Sequence, residues 1–333
     1  MKIGLYLVSL HDRNLSSALD QMVAWGIRDA EVASGGFVPT PHCPTRELVA
    51  DSDSRQAWLA EFASRGVRVT ALNCNGNPLH PDPRVGPVHQ DDILESIRLA
   101  ALIGVDRVVV MPGGPGSGPE ATRPTWSVAP WETGLLDVRD YQWSVAVPYW
   151  TQTARFAAEH GVRLCLEMHP HTVVYNTVTL VRLIDQTGAD NLGANLDPSH
   201  LFWQGVDPVV AVGDLSGRIW QAAAKDTILD AASIARYGVL DDRFTRVPDA
   251  EHPYPLGEGY SMTQPPKDAP WRFASAGRGH DSAWWSGFIA ALQSAGYDDS
   301  ISIEHEDWDL PPADGIPYAA ATLTAAIAGP AGA

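Results

Sequence analysis

Apolar residues along this chain alternate between two textures. Short runs rich in β-branched residues read as strands, and longer stretches with apolar positions every three or four residues read as helices. Residues 3–8 read as a strand and 15–26 as a helix, with Leu15, Leu19, Met22 and Val23 at helical spacing. A short strand at 29–32, a helix at 53–64 closed by Gly66, and a strand at 67–72 follow. Next come a helix at 91–103 ended by Gly104 and a strand at 106–111. A long Pro/Gly-rich loop then runs to about residue 140, before a helix at 145–160 closed by Gly161. The pattern continues with a strand ending at Glu167, a helix at 177–186, a strand ending near Asp197, a short helix at 207–215 and a strand at 219–225. A helix at 282–294, a last strand beyond Tyr297 and a final helix at 318–328 complete it.

Eight strand–helix units with mostly short connections imply a parallel sheet. Their number and the 333-residue length predict an α/β protein, a (β/α)8 TIM barrel forming a single domain over 1–333. The longest insertion, at about 227–281 after the seventh strand, is rich in Pro, Gly, Trp and acidic residues and reads as an active-site wall. A doubly wound sheet is the other architecture this alternation allows. It would more naturally carry a GxGxxG fingerprint after the first strand, where this chain reads Ser9-Leu10-His11-Asp12-Arg13. The glycine-rich run at 113–118 lacks the Lys-Ser/Thr of a phosphate loop and reads as a lid or rim turn.

Candidate chemistry collects where strands end. Glu167, Asp197 and Glu304 each follow an apolar run at the mouth-side end of a predicted barrel strand. Carboxylates crowded there raise one another's pKa unless a cation intervenes. The set therefore predicts one divalent metal ion, with Mn²⁺ favoured and Mg²⁺, Co²⁺ or Zn²⁺ as alternatives for oxygen-rich donors. His169 shares the side of Glu167, and His200 lies a turn beyond Asp197. Lys225 ends its strand and either polarises a substrate oxygen or pairs with Asp226. Asn73, Asn75 and His80 follow the third strand, where amides orient hydroxyls or merely build a turn. Arg272 and His280 sit late in the insertion as further pocket candidates, His280 alternatively serving the cap at Asp281. Twelve tryptophans, several late in the chain, suit sugar rings as well as core.

Composition narrows the partners. A net charge of -17 argues against nucleic acid and anionic membranes, and leaves open a small-molecule ligand, one phosphorylated substrate held by local groups included. Three cysteines without a CxxC pair fit neither a disulfide framework nor a thiolate zinc site, and suggest a reduced, cytoplasmic setting. The first residues read as a strand rather than a signal peptide, and no run is long and apolar enough to span a membrane.

Four runs together resemble the sugar phosphate isomerase/epimerase group, the xylose isomerase-like barrels. They are Leu166-Glu167-Met168-His169-Pro170, Asn195-Leu196-Asp197-Pro198-Ser199-His200, Ala224-Lys225-Asp226-Thr227 and Ser302-Ile303-Glu304-His305-Glu306-Asp307. The resemblance implies a barrel with a divalent metal on Glu167, Asp197 and Glu304. His200 would touch metal-bound substrate or water, and His169 and Lys225 would line the pocket. The family's seventh strand usually reads His-x-His-x-Lys-Asp, its second histidine a metal ligand, whereas this chain has Ala223 at that position. Gln221, two residues back on the same face, is the expected substitute ligand, with His200, His252 or His280 as others. The implied chemistry is proton abstraction next to a carbonyl through an ene-diolate, as a sugar isomerase or epimerase with Glu167 and Glu304 flanking the reacting carbon. Two alternatives stand beside it. One is a lyase or deglycosidase acting on 3-oxo-glycosides, like C-glycoside deglycosidase α subunits, which work with a small β-rich partner. The other is a non-catalytic sugar-binding barrel. A homo-oligomer is also compatible with the sequence.

Overall fold

A computed structural model describes residues 1–248, 251 and 263–329. Its strands are β1 (Lys2–Tyr6), β2 (Asp29–Gly36), β3 (Arg68–Asn75), β4 (Arg107–Val110), β5 (Arg163–Glu167), β6 (Leu192–Leu196), β7 (Ile219–Leu229), β8 (Thr245–Arg246), β9 (Thr263–Gln264), β10 (Trp271–Ser275) and β11 (Ser300–Ile303). β1 to β7 and β11 form a closed parallel barrel. Pairing of β11 with both β1 and β7 completes the circuit. The predicted eight-stranded closure is therefore present, with helices around it.

The helices are α1 (Leu15–Ala24), α2 (Thr45–Ala50), α3 (Ser52–Ala63), α4 (Gly86–Ile103), α5 (Thr133–Glu159), α6 (Thr177–Thr187), α7 (Ser199–Phe202), α8 (Pro208–Asp214), α9 (Ala231–Tyr237), α10 (Ser282–Ser294) and α11 (Pro312–Ala328). Three of them start a turn or more before the periodicity indicates. α4 and α11 begin with a proline in the first turn, where its missing N–H leaves no hydrogen bond unmade. No residue of α5 before Gln142 is buried, so its first turns carry no core-facing stripe. Gly104 ends α4 as expected, in the left-handed conformation (φ 74°) that closes a helix. Among the described residues no helix is long and apolar enough to cross a membrane.

The insertion after β7 is more than a loop. β7 runs on to Leu229, and β10 returns antiparallel beside it, pairing Trp271 with Leu229 and Ser275 with Lys225. α9 and the β8–β9 ribbon lie between them. The glycine at 279 approaches Thr227 and Asp226 so closely that a Cβ there would collide with both. That approach lets Asp226 Oδ2 accept the backbone N–H groups of Gly277, Gly279 and His280 at 2.9–3.1 Å.

The core lies in two shells. Outside the barrel, helices bury large side chains such as Trp150, Trp285, Phe62 and Phe288 against the strands, each burial worth about 1.5–3 kcal/mol. Inside, inward positions on one strand recur every two residues, about 6.6 Å apart. Ala71, Val109 and Cys165 pack with Trp220 in a low apolar layer. Above them sits a polar layer of Glu31, Asn73, Gln221 and Ser302, and above that the mouth.

Candidate active site and metal centre

Strand ends deliver the acidic groups. Glu167 is the last residue of β5, and its buried carboxylate is held at both oxygens. Oε1 lies 3.1 Å from His200 Nε2, and Oε2 accepts from Asn75 Nδ2 at 2.9 Å. Asp197 follows β6 and caps the turn into α7 by accepting the Ser199 N–H at 2.8 Å. That turn carries His200 back over the mouth, 3.4 Å from Asp197 Oδ2. Lys225 rises from β7 into the middle. Its Nζ lies 3.0 Å from Asp197, 3.3 Å from Glu304 and 3.2 Å from Glu306.

The charges push one another hard. Burial drives the Glu304 carboxyl well above the ordinary range; Lys225 opposes this, while Glu167, Glu306 and Asp197 add to it. Glu167 moves the other way: burial would raise it, but the His200 hydrogen bond and the Lys225 charge outweigh that and hold it low. The Lys225 ammonium is held well above its ordinary value, because four carboxylates overcome the cost of burial. His169 is depressed to about 3, first by burial and then by neighbouring His200.

These residues fit a divalent cation. One carboxylate oxygen each from Glu167, Asp197 and Glu304 lie within 4.8 Å of one another, and Glu167, His169 and His200 form an overlapping group. Buried His200 Nδ1, Asn75 Oδ1 and Asn195 Oδ1 have no hydrogen-bond partner among the described residues, leaving polar atoms for a bound group to satisfy. A catalytic metal site keeps three protein ligands and an open position, and the three carboxylates would supply those ligands.

Other sequence candidates lie elsewhere. Gln221 does not join the cluster. Two residues below Ala223, its amide donates to Glu31 at 2.6 Å and to Ser302 Oγ at 3.1 Å, a layer beneath the mouth. Asn73 is in that same layer, donating to Glu31 at 2.7 Å, and it is Asn75 that reaches Glu167. Arg272 points to Asp309 at 3.3 Å, because antiparallel β10 turns its neighbour Phe273 inward instead. His280 is tied to Asp226 at 2.7 Å and stacks on Phe202, so it closes the insertion rather than the pocket. His80 borders a smaller cavity that shares His169 and His171 with the main one. His252 lies outside the described residues. His305 turns outward, as alternation indicates, to Leu310 O at 3.0 Å. Phe273, which stands over both Lys225 and His200, carries no sequence signal, since its orientation depends on the antiparallel return.

The comparisons place this geometry. A protein-family model for xylose isomerase-like TIM barrels matches residues 30–326. YfiH of Bacillus subtilis is 33% identical over 320 residues, covering 95% of this chain and 96% of that protein. A probable 3-DHS dehydratase, AsbF of Bacillus anthracis, shares the fold with a TM-score of 0.63 at 15% identity, covering 97% of this chain and 99% of its own. The 3-keto-D-glucoside 4-epimerase YcjR of E. coli does so with a TM-score of 0.63 at 12% identity, covering 98% and 99%. Zinc-bound and magnesium-bound barrels are also among the similar folds. With most of its length matched and its barrel closed, the chain belongs to the xylose isomerase-like TIM barrel family.

Proposed function

We propose that the protein isomerises or epimerises a keto-sugar by moving a proton next to a carbonyl, with a divalent metal. The observation that carries this is the convergence of Glu167, Asp197 and Glu304 around buried Lys225. The three carboxylates would hold the ion, with Mn²⁺ the first choice for their oxygens. When bound, it supplies a Lewis acid to adjacent substrate oxygens. Glu167 and Glu304 come from strands three steps apart round the barrel and approach a substrate carbon from different sides. One removes the carbon-bound proton. Return by the other to the opposite face gives an epimer, and return to the neighbouring carbon gives an isomer. Asn75 and His200 fix both oxygens of Glu167 for this task. Lys225 Nζ places positive charge against the developing oxyanion, and His169 lines the approach.

Elimination is the second reading. It shares the first step and matches what the names of AsbF and of a partly matching inosose dehydratase say those proteins do. Exchange of solvent deuterium into keto-sugars detects the shared step for either outcome. The exchange is expected to need a divalent ion and to fall at least about 100-fold in Glu304→Gln, the scale of a lost acid or base. Full exchange in that variant, or in metal-free protein, sinks the assignment.

A further inference from the structure

Beside the carboxylate cluster, reached through His169 and His200, lies a cavity with a largely apolar and aromatic lining. The cavity holds about 780 Å³, within the roughly 300–1,000 Å³ of ligand pockets, and more than one pyranose ring fills. Its inner end is His169, His200 and Phe273, the last with its ring centroid 5.0 Å from Lys225 Nζ. Its walls are indoles. Trp203 and Trp271 stack at 4.7 Å with 7° between their planes, and Trp126 joins them. Trp271 is fixed by donating its N–H to Val239 O at 3.1 Å.

Three further observations say what such a cavity takes. The rim residues Tyr237, Leu240 and Phe244 are 38%, 71% and 39% exposed, so apolar surface stands open where a ligand would cover it. The indole N–H groups of Trp126 and Trp203 are covered and have no acceptor among the described residues, so these indoles add no accessible N–H to the cavity wall. Arg243, the one Lys or Arg among the described lining residues, is already bound to Asp241 at 2.7 Å and Asp268 at 3.1 Å. A phosphate would find no free cation there and would meet Asp241 and Asp242, whereas a neutral aromatic group matches the indoles and the apolar rim.

We propose that this cavity is an aryl subsite. The substrate is a polyhydroxylated ring that carries a neutral aromatic substituent. The ring lies at the carboxylates, and the substituent lies among Trp126, Trp203, Trp271 and the Tyr237–Leu240–Phe244 rim. The proposal rests on the reading of the carboxylate cluster as the reacting end, and two separate measurements keep them apart.

Calorimetry on the full chain compares 4-nitrophenyl and methyl β-glucopyranoside, while deuterium exchange into free ketoses tests the cluster. The aryl glycoside is expected to bind at least about ten-fold tighter, since stacking and burial of its ring act on affinity. Trp271→Ala is expected to abolish that preference. Leu240→Asp, at an exposed position that the fold does not need, is expected to reduce it at least about three-fold. Equal affinity for the two glycosides overturns the subsite, even if ketoses exchange. So does an aryl preference left intact by Leu240→Asp and by folded Trp271→Ala. An aryl preference that Leu240→Asp reduces, found without any exchange, upholds the subsite and removes the reaction assigned to the carboxylates.

Discussion

Lys225 is the residue on which the mouth depends. Its ammonium touches three carboxylates from inside a site almost closed to water. Ala223 beneath it offers nothing to a metal, so the cation that steadies Asp197 and Glu304 without an ion is the lysine itself. Removing one partner of a buried charge group leaves the others uncompensated, at a cost of about 3–5 kcal/mol. Lys225→Met is therefore expected to melt well below wild type in chelator. Divalent ion should restore more of the melting temperature in the variant than in wild type, because the carboxylates it binds are otherwise unpaired. Thermal unfolding with and without metal reads both. An unchanged melting temperature in chelator contradicts the role given to Lys225. The sequence displayed Glu167, Asp197 and Glu304 because each ends or directly follows a barrel strand. It displayed His200 because it lies three residues beyond Asp197, and Lys225 because the apolar run of its strand stops there, although β7 itself continues to Leu229. Gln221 shares the inward face of β7 with Lys225, and Asn73 that of β3 with Asn75, but both sit a layer lower, and depth was not readable from alternation alone.

At the level of elements, the insertion and the last strand lock together through acids that never reach the pocket. Asp307, beyond β11, accepts from Arg278 at 2.5 Å and from the Ser275 N–H at 2.8 Å, joining the end of β10 to the end of β11. Burial opposes ionisation of Asp307, but Arg278 and the backbone donors prevail and hold its carboxyl at about 2. A depressed folded pKa stabilises above the unfolded value and is lost as pH falls through the folded one. Asp307→Asn is accordingly expected to cost about 2 kcal/mol at neutral pH. The gap to wild type should begin to shrink below the ordinary Asp value of 3.8 and close near 2. Denaturant titrations stepped down in pH check this, and a gap that widens toward acid contradicts it. Neither this latch nor the three N–H bonds to Asp226 could be read from the chain. They require β10 to return antiparallel, and a Trp-rich insertion does not declare its direction. The barrel itself was legible because most of its strands carry an apolar run between a helix and a turn, β2 with its Asp29, Glu31 and Ser34 being the least regular.

Across the whole molecule the two ends of the barrel have opposite electrostatic characters. At the N-terminal ends of the strands, charges are matched. Arg68 bridges Asp29 and Asp299 at 2.7 and 2.6 Å, Arg107 bridges Asp106 and Asp299 at 2.9 and 3.1 Å, and Arg163 joins Asp106. These pairs tie the start of β2, β3, β4 and β5 to the turn before β11, so they fasten the closure of the sheet. At the other end Glu167, Asp197, Glu304 and Glu306 share Lys225, an excess of negative charge that favours a cation over compactness. Barrels divide in this way, with stability at the bottom and chemistry at the top. Two variants should separate the halves. Asp299→Asn removes a partner from both arginines, but Asp299 and Arg68 are partly exposed, so solvent screening limits the expected loss to about 1 kcal/mol. Its deuterium exchange should match wild type once both are folded. Glu304→Gln should do the reverse, losing exchange while its melting temperature in chelator holds or rises, because a crowded carboxylate has been neutralised. Measuring melting and exchange on both proteins completes the comparison. Slowing of exchange in Asp299→Asn comparable to that in Glu304→Gln would mean that the bottom of the barrel positions the mouth, and the separation of scaffold from chemistry would fail.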